Sequence, residues 1–336
     1  MVAVPSQSPG PAPEPAPAQP ALVSVMVRSY NRLPALCTLL ENLLGQRHPR
    51  FEIVVVEQST KRPEDAVARL EELARDPRVR LLRHPPLGGA GARNVGVAAC
   101  RGEIVVFIDD DDMPMDDQWL ARHAAAYEDP RCLGVSGKHI YNDEPEHRYQ
   151  PVLAFITRTL SYDPILKTSL TYVQHDRRRI PVYAIHGTNA SIRRTAYERF
   201  GGWDTDTAIE DEVSFCLRVL KNKQPDEYFA YDPRPVILRH RDVPGGLDKR
   251  HMSAVRYFGH FLDFVHNILG RYHPVRVVAL YPIYLMFSYF ISLGWLWKNS
   301  RVYASTPRLV WASVVLAAGM PLHVGRALAR KFRRRR

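Results

Sequence analysis

The ordered pattern of the chain opens with residues 21–27 (ALVSVMV), an almost unbroken apolar run of strand length. Such runs suit strands covered on both faces, as in parallel sheets. Beyond it, Asn31 offers a helix cap and Pro34 sits in a first turn. Leu36, Leu39, Leu40, Leu43 and Leu44 then fall at helical spacing, and Gly45 closes the helix. Residues 51–56 (FEIVVV) predict a second buried strand. Pro63 opens a second helix with Val67, Leu70 and Leu73 on one face. Residues 78–83 predict a short third strand. The loop HPPLGGAG then leads to a helix over 92–100, and residues 103–108 (EIVVFI) predict a fourth strand. Strands joined by helices in this way predict βαβ units and an α/β fold with a largely parallel sheet. Ligands of such sheets bind beyond the C-terminal strand ends. Further on, Val213, Cys216, Leu217 and Leu220 form the apolar face of another helix.

The two ends of the chain read differently. Residues 1–20 contain seven prolines with no basic residue and no apolar core, a disordered leader rather than a signal peptide. Between 248 and 273, Val255, Phe258, Leu262, Val265 and Leu269 recur at helical spacing beside Lys249, Arg250 and Arg256. That pattern suits an amphipathic helix at a membrane surface, and equally one packed on the preceding domain. Residues 277–297 are 21 positions without a charge. As a helix they span about 31 Å, against a hydrocarbon core of about 30 Å. Tyr281, Tyr284, Trp295 and Trp297 lie towards the ends of this stretch, as interfacial aromatics do. A buried core helix is the alternative. Residues 309–324, with Pro321 and His323, predict a second membrane-associated stretch. The expected organisation is a leader over 1–20, an α/β domain over 21–245 and a juxtamembrane helix over 246–274. One or two membrane-associated helices over 275–325 and a polybasic tail over 326–336 follow.

Charge sharpens this division. The 336 residues carry 46 Lys+Arg and 35 Asp+Glu, a net charge of +11. Seven basic residues lie in the tail RALARKFRRRR, which leaves +4 for the rest. The body shows no basic stripe for nucleic acid, and the tail suits anionic lipid on the cytoplasmic side of the cell membrane. Four cysteines (Cys37, Cys100, Cys132 and Cys216) stand far apart with no CxxC pair. This excludes a disulfide scaffold and a zinc ribbon, and it fits a reducing compartment.

The candidate chemistry sits at the end of the fourth strand, where EIVVFI runs directly into Asp109, Asp110, Asp111 and Asp112. Two carboxylates about 4 Å apart repel by about 4 kcal/mol at an effective dielectric of about 20. Crowded hard oxygen ligands therefore invite Mg²⁺ or Mn²⁺. The plain alternative is a solvated loop before a helix, but Asp116 or Asp117 can cap that helix unaided. A dinucleotide-binding reading fails, because Gly89-Ala90-Gly91-Ala92-Arg93-Asn94 has Asn where GxGxxG needs its third glycine.

The succession VSVMVRSYNR, EIVVVEQST, GAGARNVGVAACRGEIVVFIDDDDMP, GTNASIRRTAYERFGGWD and IEDEVSFCLRVLK resembles family 2 glycosyltransferases of the GT-A fold, over about residues 21–240. The resemblance implies a nucleotide-diphosphate sugar donor, a divalent metal on its diphosphate and inversion at the anomeric carbon. By the same likeness, Asp109 and Asp111 match the Asp-x-Asp metal motif, with Asp110 beside the donor. His240 stands where some related enzymes place a third metal ligand. Ser29, Tyr30 and Asn31 match the loop lining the nucleoside pocket, and Glu57 stands where an Asp contacting the base is usual. Arg93 and Asn94 match an ARN motif near the donor, with helix capping and packing as the alternative. Asn189, Gly202 and Trp203 match segments shaping the donor-sugar and acceptor pocket, Trp203 serving equally well as core. Asp211 matches the base that takes the acceptor's proton, and Glu210 a neighbouring acceptor contact. Carboxylates near a helix N-terminus also favour the helix dipole without any catalytic role. Arg28 replaces a frequent proline. The expected acceptor is a lipid-linked or membrane-proximal glycan. The rival readings are a membrane-tethered scaffold without catalysis and a nucleotidyltransferase, the latter lacking its glycine-rich phosphate loop.

Overall fold

The structure, a computed structural model, describes residues 20–141, 177–205 and 211–240. Beyond these it describes 262, 264–286, 289, 314, 324 and 325. The expected leader, the stretch 143–176, Glu210, the loop 241–246 and most of 287–336 lie outside the described residues.

A mixed sheet organises the domain. Strands β1 (Val23–Ser29), β2 (Phe51–Glu57), β3 (Val79–Arg83) and β4 (Ile104–Asp109) pair in parallel, in the order β3-β2-β1-β4. The predicted parallel half is therefore present. Beyond β4 the order continues through β8 (Ala190–Arg193), β6 (Cys132–Tyr141), β9 (Tyr228–Arg239) and β5 (Asp112–Pro114). Strand β7 (Ile180–Val182) pairs with β9. β8 runs antiparallel to both β4 and β6, and β5 antiparallel to β9, so the sheet is mixed.

Both faces of the sheet are covered, which explains the unbroken apolar strands. Val23, Val25, Val27, Ile104, Val106 and Ile108 bury on one face, and Met26, Val105 and Phe107 on the other. Helix α1 (Leu33–Leu44) covers the first face with Leu36, Leu39, Leu40 and Leu43, all fully buried. Helix α2 (Glu64–Leu73) adds Ala66 and Leu70 to the same cluster. Helix α3 (Gly88–Ala99) begins four residues earlier than the pattern predicted and covers the second face.

Two local details differ from expectation. Asn31 does not cap α1, whose N-cap is Arg32. With φ at 57°, Asn31 instead accepts at Oδ1 from the backbone N–H groups of Thr60 and Lys61, each at 2.9 Å. It thereby ties the turn after β1 to the loop after β2. Gly45 ends α1 in a right-handed conformation, φ −82°, without using glycine's left-handed freedom.

The second half of the sheet, where β6 and β9 pair in parallel, is joined by Asn189, which is fully buried with φ at 47°. Its Oδ1 accepts from Trp119 Nε1 at 2.8 Å and lies 3.1 Å from His123 Nε2. Its Nδ2 donates to the carbonyls of Lys138 (2.9 Å) and Pro235 (3.2 Å). One side chain thus links helix α4 (Trp119–Ala125), β6 and β9. Helix α5 (Arg194–Phe200) follows β8, and helix α6 (Asp211–Asn222) precedes β9.

Past β9, a π-helical turn (Phe264–Leu269) leads through Gly270–Tyr272 to helix α7 (Pro274–Ala279). Val265, Leu269, Val277 and Tyr284 form one buried cluster with Val213 and Leu217 of α6. Of the two options for the 248–273 periodicity, its described part takes packing on the catalytic domain. No helix among the described residues is long and apolar enough to cross a membrane. The remainder of the predicted crossing lies outside the described residues. The other side of the same C-terminal stretch is apolar and open, with Val275 81%, Val278 78%, Ile283 54% and Met286 59% exposed.

Buried His123 gives the fold a pH dependence. Burial lowers its pKa from 6.5 to about 4, against the raising effect of Asn189. The unfolded chain therefore binds a proton that the fold refuses between those values. This contribution to stability is complete above pH 6.5 and is lost as the pH falls towards 4. Thermal denaturation followed from pH 7.5 to 4.5 should show a falling midpoint, with a shallower fall in His123→Gln. A flat profile down to pH 4.5 would contradict this assignment.

Candidate active site

The C-terminal ends of β1, β2 and β4 lie along one edge of the sheet, as parallel pairing requires. Asp109 ends β4, Asp110 and Asp111 make the turn, and Asp112 begins β5. Carboxylate oxygens of Asp109, Asp111 and Asp112 all lie within 4.8 Å of one another. Three arginines compensate them. Arg28 grips Asp109 with two bonds, Nε to Oδ1 at 2.7 Å and Nη2 to Oδ2 at 3.2 Å. Arg239 reaches Asp109 at 3.3 Å and Asp112 at 3.5 Å. Arg32 lies 3.1 Å from Asp110 and 3.0 Å from Asp111. Hydroxyls complete the arrangement: Ser29 donates to Asp110 at 2.7 Å, and Thr188 donates to Asp112 at 2.5 Å.

The carboxylates differ in their hold on a proton. Burial alone would raise the pKa of Asp109, but Arg28 and then Arg239 hold it well below the usual carboxylate range. Burial pushes Asp110 up to about 6 despite Arg32 and Ser29. Burial pushes Asp112 up to about 7, with Asp109 and Asp111 adding repulsion against the pull of Arg239. Asp111 Oδ1 and Asp112 Oδ1 are buried and accept no hydrogen bond. Three converging carboxylates, two of them with an unsatisfied hard oxygen, fit a divalent cation such as Mg²⁺ or Mn²⁺. Asp109, Asp111 and Asp112 would hold it.

His240 is adjacent without joining the group. Its backbone N–H donates to the Asp111 carbonyl at 2.9 Å, at the end of the β5–β9 pairing. Its ring is not among the atoms converging within 4.8 Å. Asp112 is the converging carboxylate that the Asp-x-Asp spacing did not name as a ligand. Its only sequence signal is its place directly after the motif.

Asp211 begins α6 and is paired with Arg93, whose Nη1 bonds its Oδ2. Burial would raise the Asp211 pKa, but Arg93 lowers it, so the group is ionised at neutral pH. Arg93 also donates to the Gly187 carbonyl at 2.9 Å and lies over the Trp203 ring at 5.5 Å. A Cβ on Gly187 would stand 2.4 Å from Arg93 Nη2, so a side chain there would disturb the guanidinium. Arg28 feels Asp211 and Glu212 as well as Asp109. The acidic cluster and Asp211 therefore share one electrostatic environment.

The other expected site residues fall into two groups. Ser29 and Asp110 bond each other at the strand ends, and Tyr30 and Asn31 follow Ser29 at the same edge. Glu57, at the end of β2, is almost wholly buried and paired with Arg62 at 2.6 Å. The second group is structural. Asn189 was expected in the sugar pocket, but it is fully enclosed and spends its amide on the internal bonds described above. Trp203 is 3% exposed and packs on Phe107 and Phe215, with ring centroids 5.5 and 4.5 Å away. It takes the core alternative. Asn94 bonds the Trp203 backbone at both N–H and carbonyl (2.8 and 2.9 Å), fixing that loop on α3. Gly202 accepts from Arg218 in the same loop.

This arrangement has known relatives. Residues 24–201 match the sequence model described as Glycosyl transferase family 2, and the chain belongs to that family. It is a glycosyltransferase. It is 34% identical over 252 residues to the uncharacterized glycosyltransferase EpsJ of Bacillus subtilis, covering 71% of this chain and 70% of EpsJ. YwdF of the same organism, also an uncharacterized glycosyltransferase, is 24% identical over 201 residues, 60% of this chain and 68% of its own. The uncharacterized glycosyltransferase alr2836 of Nostoc is 36% identical over 92 residues, 27% of this chain and 28% of its own. Among solved structures, mannosyltransferase PcManGT from Pyrobaculum calidifontis, in complex with GDP-Man and Mn²⁺, superposes with a TM-score of 0.56. It is 19% identical and the match covers 92% of this chain and 86% of that one. TarS 1–349 of S. aureus, in complex with UDP-GlcNAc, gives 0.52 at 15% identity, over 74% and 66%. At such identities the likeness is one of fold, and that fold is GT-A-like.

Arg93 sets the cost of an unpaired Asp211. Removing one partner of a buried pair destabilises by roughly 3–5 kcal/mol, and Asp211 keeps 14% exposure. Arg93→Met should therefore lose stability at the low end of that range in denaturant titrations. A loss below about 1 kcal/mol, the ordinary worth of an exposed pair, would show the pair to be dispensable.

Proposed function

We propose that this glycosyltransferase moves a sugar from a nucleotide-diphosphate donor to the hydroxyl of a lipid-linked or membrane-proximal glycan, with inversion at the anomeric carbon. The observation that carries the donor reading is the convergence of Asp109, Asp111 and Asp112, with buried unsatisfied oxygens, beside ionised Asp211. A divalent cation held there supplies compensation for the charge that develops on the departing diphosphate. Ser29, Tyr30, Asn31 and the loop tied by Asn31 form the edge against which the nucleoside lies, with Glu57 beneath. Asp211 accepts the proton of the acceptor hydroxyl as its oxygen bonds to the anomeric carbon and the bond to the diphosphate breaks. The Arg93 pair keeps Asp211 charged and aimed, and exchanging that contact for the acceptor hydroxyl restores its basicity. Glu210 would neighbour the acceptor. The solved relatives bound to GDP-Man with Mn²⁺ and to UDP-GlcNAc support the donor class by analogy.

The acceptor reading rests on the C-terminal stretch. Val275, Val278, Ile283 and Met286 form an open apolar stripe opposite the side packed on α6. Large exposed apolar stripes mark interaction surfaces. The uncharged sequence through 297 and the seven basic residues of the tail point to an anionic bilayer, with catalysis on the cytoplasmic side.

Asp211→Asn should lower transfer by roughly 10²–10⁴-fold, the usual worth of a positioned base. Binding of the nucleotide sugar should be kept, and the wild-type product should be nucleoside diphosphate rather than pyrophosphate. Near-normal turnover in the variant would remove Asp211 from its role. For the membrane reading, the full chain should co-float with vesicles containing anionic lipid, and Val275→Asp/Val278→Asp should reduce the floated fraction. A chain that stays in the soluble fraction with such vesicles, and glycosylates only soluble acceptors, would contradict it.

A further inference from the structure

Arg28 stands next to last in β1, directly opposite Asp109 in the parallel pairing of β1 with β4. That register places a guanidinium and a carboxylate side by side, and they form a two-bond fork. The arginine is 26% exposed and the aspartate, the more buried of the two, 13%. Both oxygens of Asp109 are taken by cations, because Arg239 shares the second. The guanidinium also lies against the first turn of α3. A Cβ on Gly89 would stand 2.2 Å from Arg28 Nη1, so any side chain here would push the guanidinium aside. A half-buried arginine in the combined field of Asp109, Asp211 and Glu212 is thus a central cation of the site.

Asp109 has a second claim on it, as one of the three carboxylates that converge for a divalent cation. A cation drawing on Asp109 competes with Arg28. A guanidinium that loses its carboxylate at this depth is costly unless another anion takes its place. The diphosphate of the donor is such an anion, and the planar fork of arginine suits phosphate oxygens.

We propose that Arg28 is an exchangeable counter-cation: it holds Asp109 when the site has no metal, and transfers to the donor diphosphate when Asp109 is engaged. Metal and nucleotide binding are then mutually dependent, each weak alone. The inference rests on the metal-and-donor reading above. It makes Arg28 a donor-binding residue that also sets metal affinity.

The test is Mn²⁺ binding to the purified full chain, read from the electron paramagnetic resonance signal of free Mn²⁺. Titrations are run alone and with UDP, GDP, ADP or CDP. For the wild type, one nucleotide should tighten Mn²⁺ by about 5–150-fold, the usual range of coupled sites. In Arg28→Gln, Mn²⁺ alone should bind about tenfold or more tighter, the coupling should fall towards unity, and nucleotide should bind more weakly. Arg28→Lys, which keeps the charge without the fork, should lie between. Gly89→Ala, which displaces the guanidinium without removing it, should shift Mn²⁺ in the same direction and remains informative if Arg28→Gln misfolds. Wild-type affinity and coupling retained in folded Arg28→Gln, or in Gly89→Ala, overturns this inference alone. Wild type that binds no Mn²⁺ with or without any nucleotide overturns the metal reading and this inference with it.

Discussion

Four consecutive carboxylates at the end of one buried strand cannot remain charged together without nearby positive charge. That electrostatic constraint shapes the rest of the molecule. Arg28 comes from the neighbouring strand β1, Arg32 from the turn that follows it, and Arg239 from the end of β9. These segments are far apart in sequence and meet only because the sheet is mixed. The parallel half presents Asp109 beside Arg28, and the antiparallel β5–β9 pairing presents Asp112 beside Arg239. Compensation is nevertheless incomplete, since burial leaves Asp110 and Asp112 with raised pKa values and two oxygens without donors. A site balanced in this way is stable enough to form and still favours a cation.

The second half of the sheet keeps Asp112 in place. Asn189 links α4, β6 and β9 through four contacts in a site sealed from water. The neighbouring Thr188 bonds Asp112 and receives the backbone N–H of Asp109 at 3.1 Å. A buried polar hub and a contact to the acidic cluster thus occupy successive residues. The helix that begins with Asp211 is held on one side by Arg93 and on the other by the C-terminal cluster of Val265, Leu269, Val277 and Tyr284. Asp211 and the open apolar stripe therefore share one supporting helix.

The parallel half was legible in the sequence because its signals are local: the runs of 21–27, 51–56 and 103–108, and the leucine spacing of α1. The acidic turn was legible for the same reason, since its position after EIVVFI fixes it to a strand end. What escaped were meanings set by distant pairing. Arg28 has no local pattern; its role appears only once β1 lies against β4. Asp112 looks like an appendix to Asp109 and Asp111 until β5 turns its carboxylate towards theirs. Asn189 looked like a pocket residue and is a buried hub, because hydrogen-bond capacity enclosed by a fold leaves no mark in sequence. Trp203 read equally as pocket or core, and ring packing on Phe107 and Phe215 decides for core. The apolar periodicity of 248–273 fits a membrane surface and a domain face equally, because one apolar stripe does not name its partner; Val265 and Leu269 pack with Val213 and Leu217.

The central claim is that the carboxylate cluster is the metal-dependent seat of a nucleotide-sugar diphosphate. Its most direct test is thermal stabilisation of the purified chain by a panel of nucleotide sugars, with and without Mn²⁺, beside Asp109→Asn/Asp111→Asn. A ligand at 100 times its Kd adds about 2.7 kcal/mol to the native state, a shift that is readily measured. Sugars of one nucleotide should stabilise the wild-type chain in the presence of Mn²⁺, with no effect in the variant. Stabilisation that survives in the variant, or none from any nucleotide sugar with a folded wild-type chain, would contradict it.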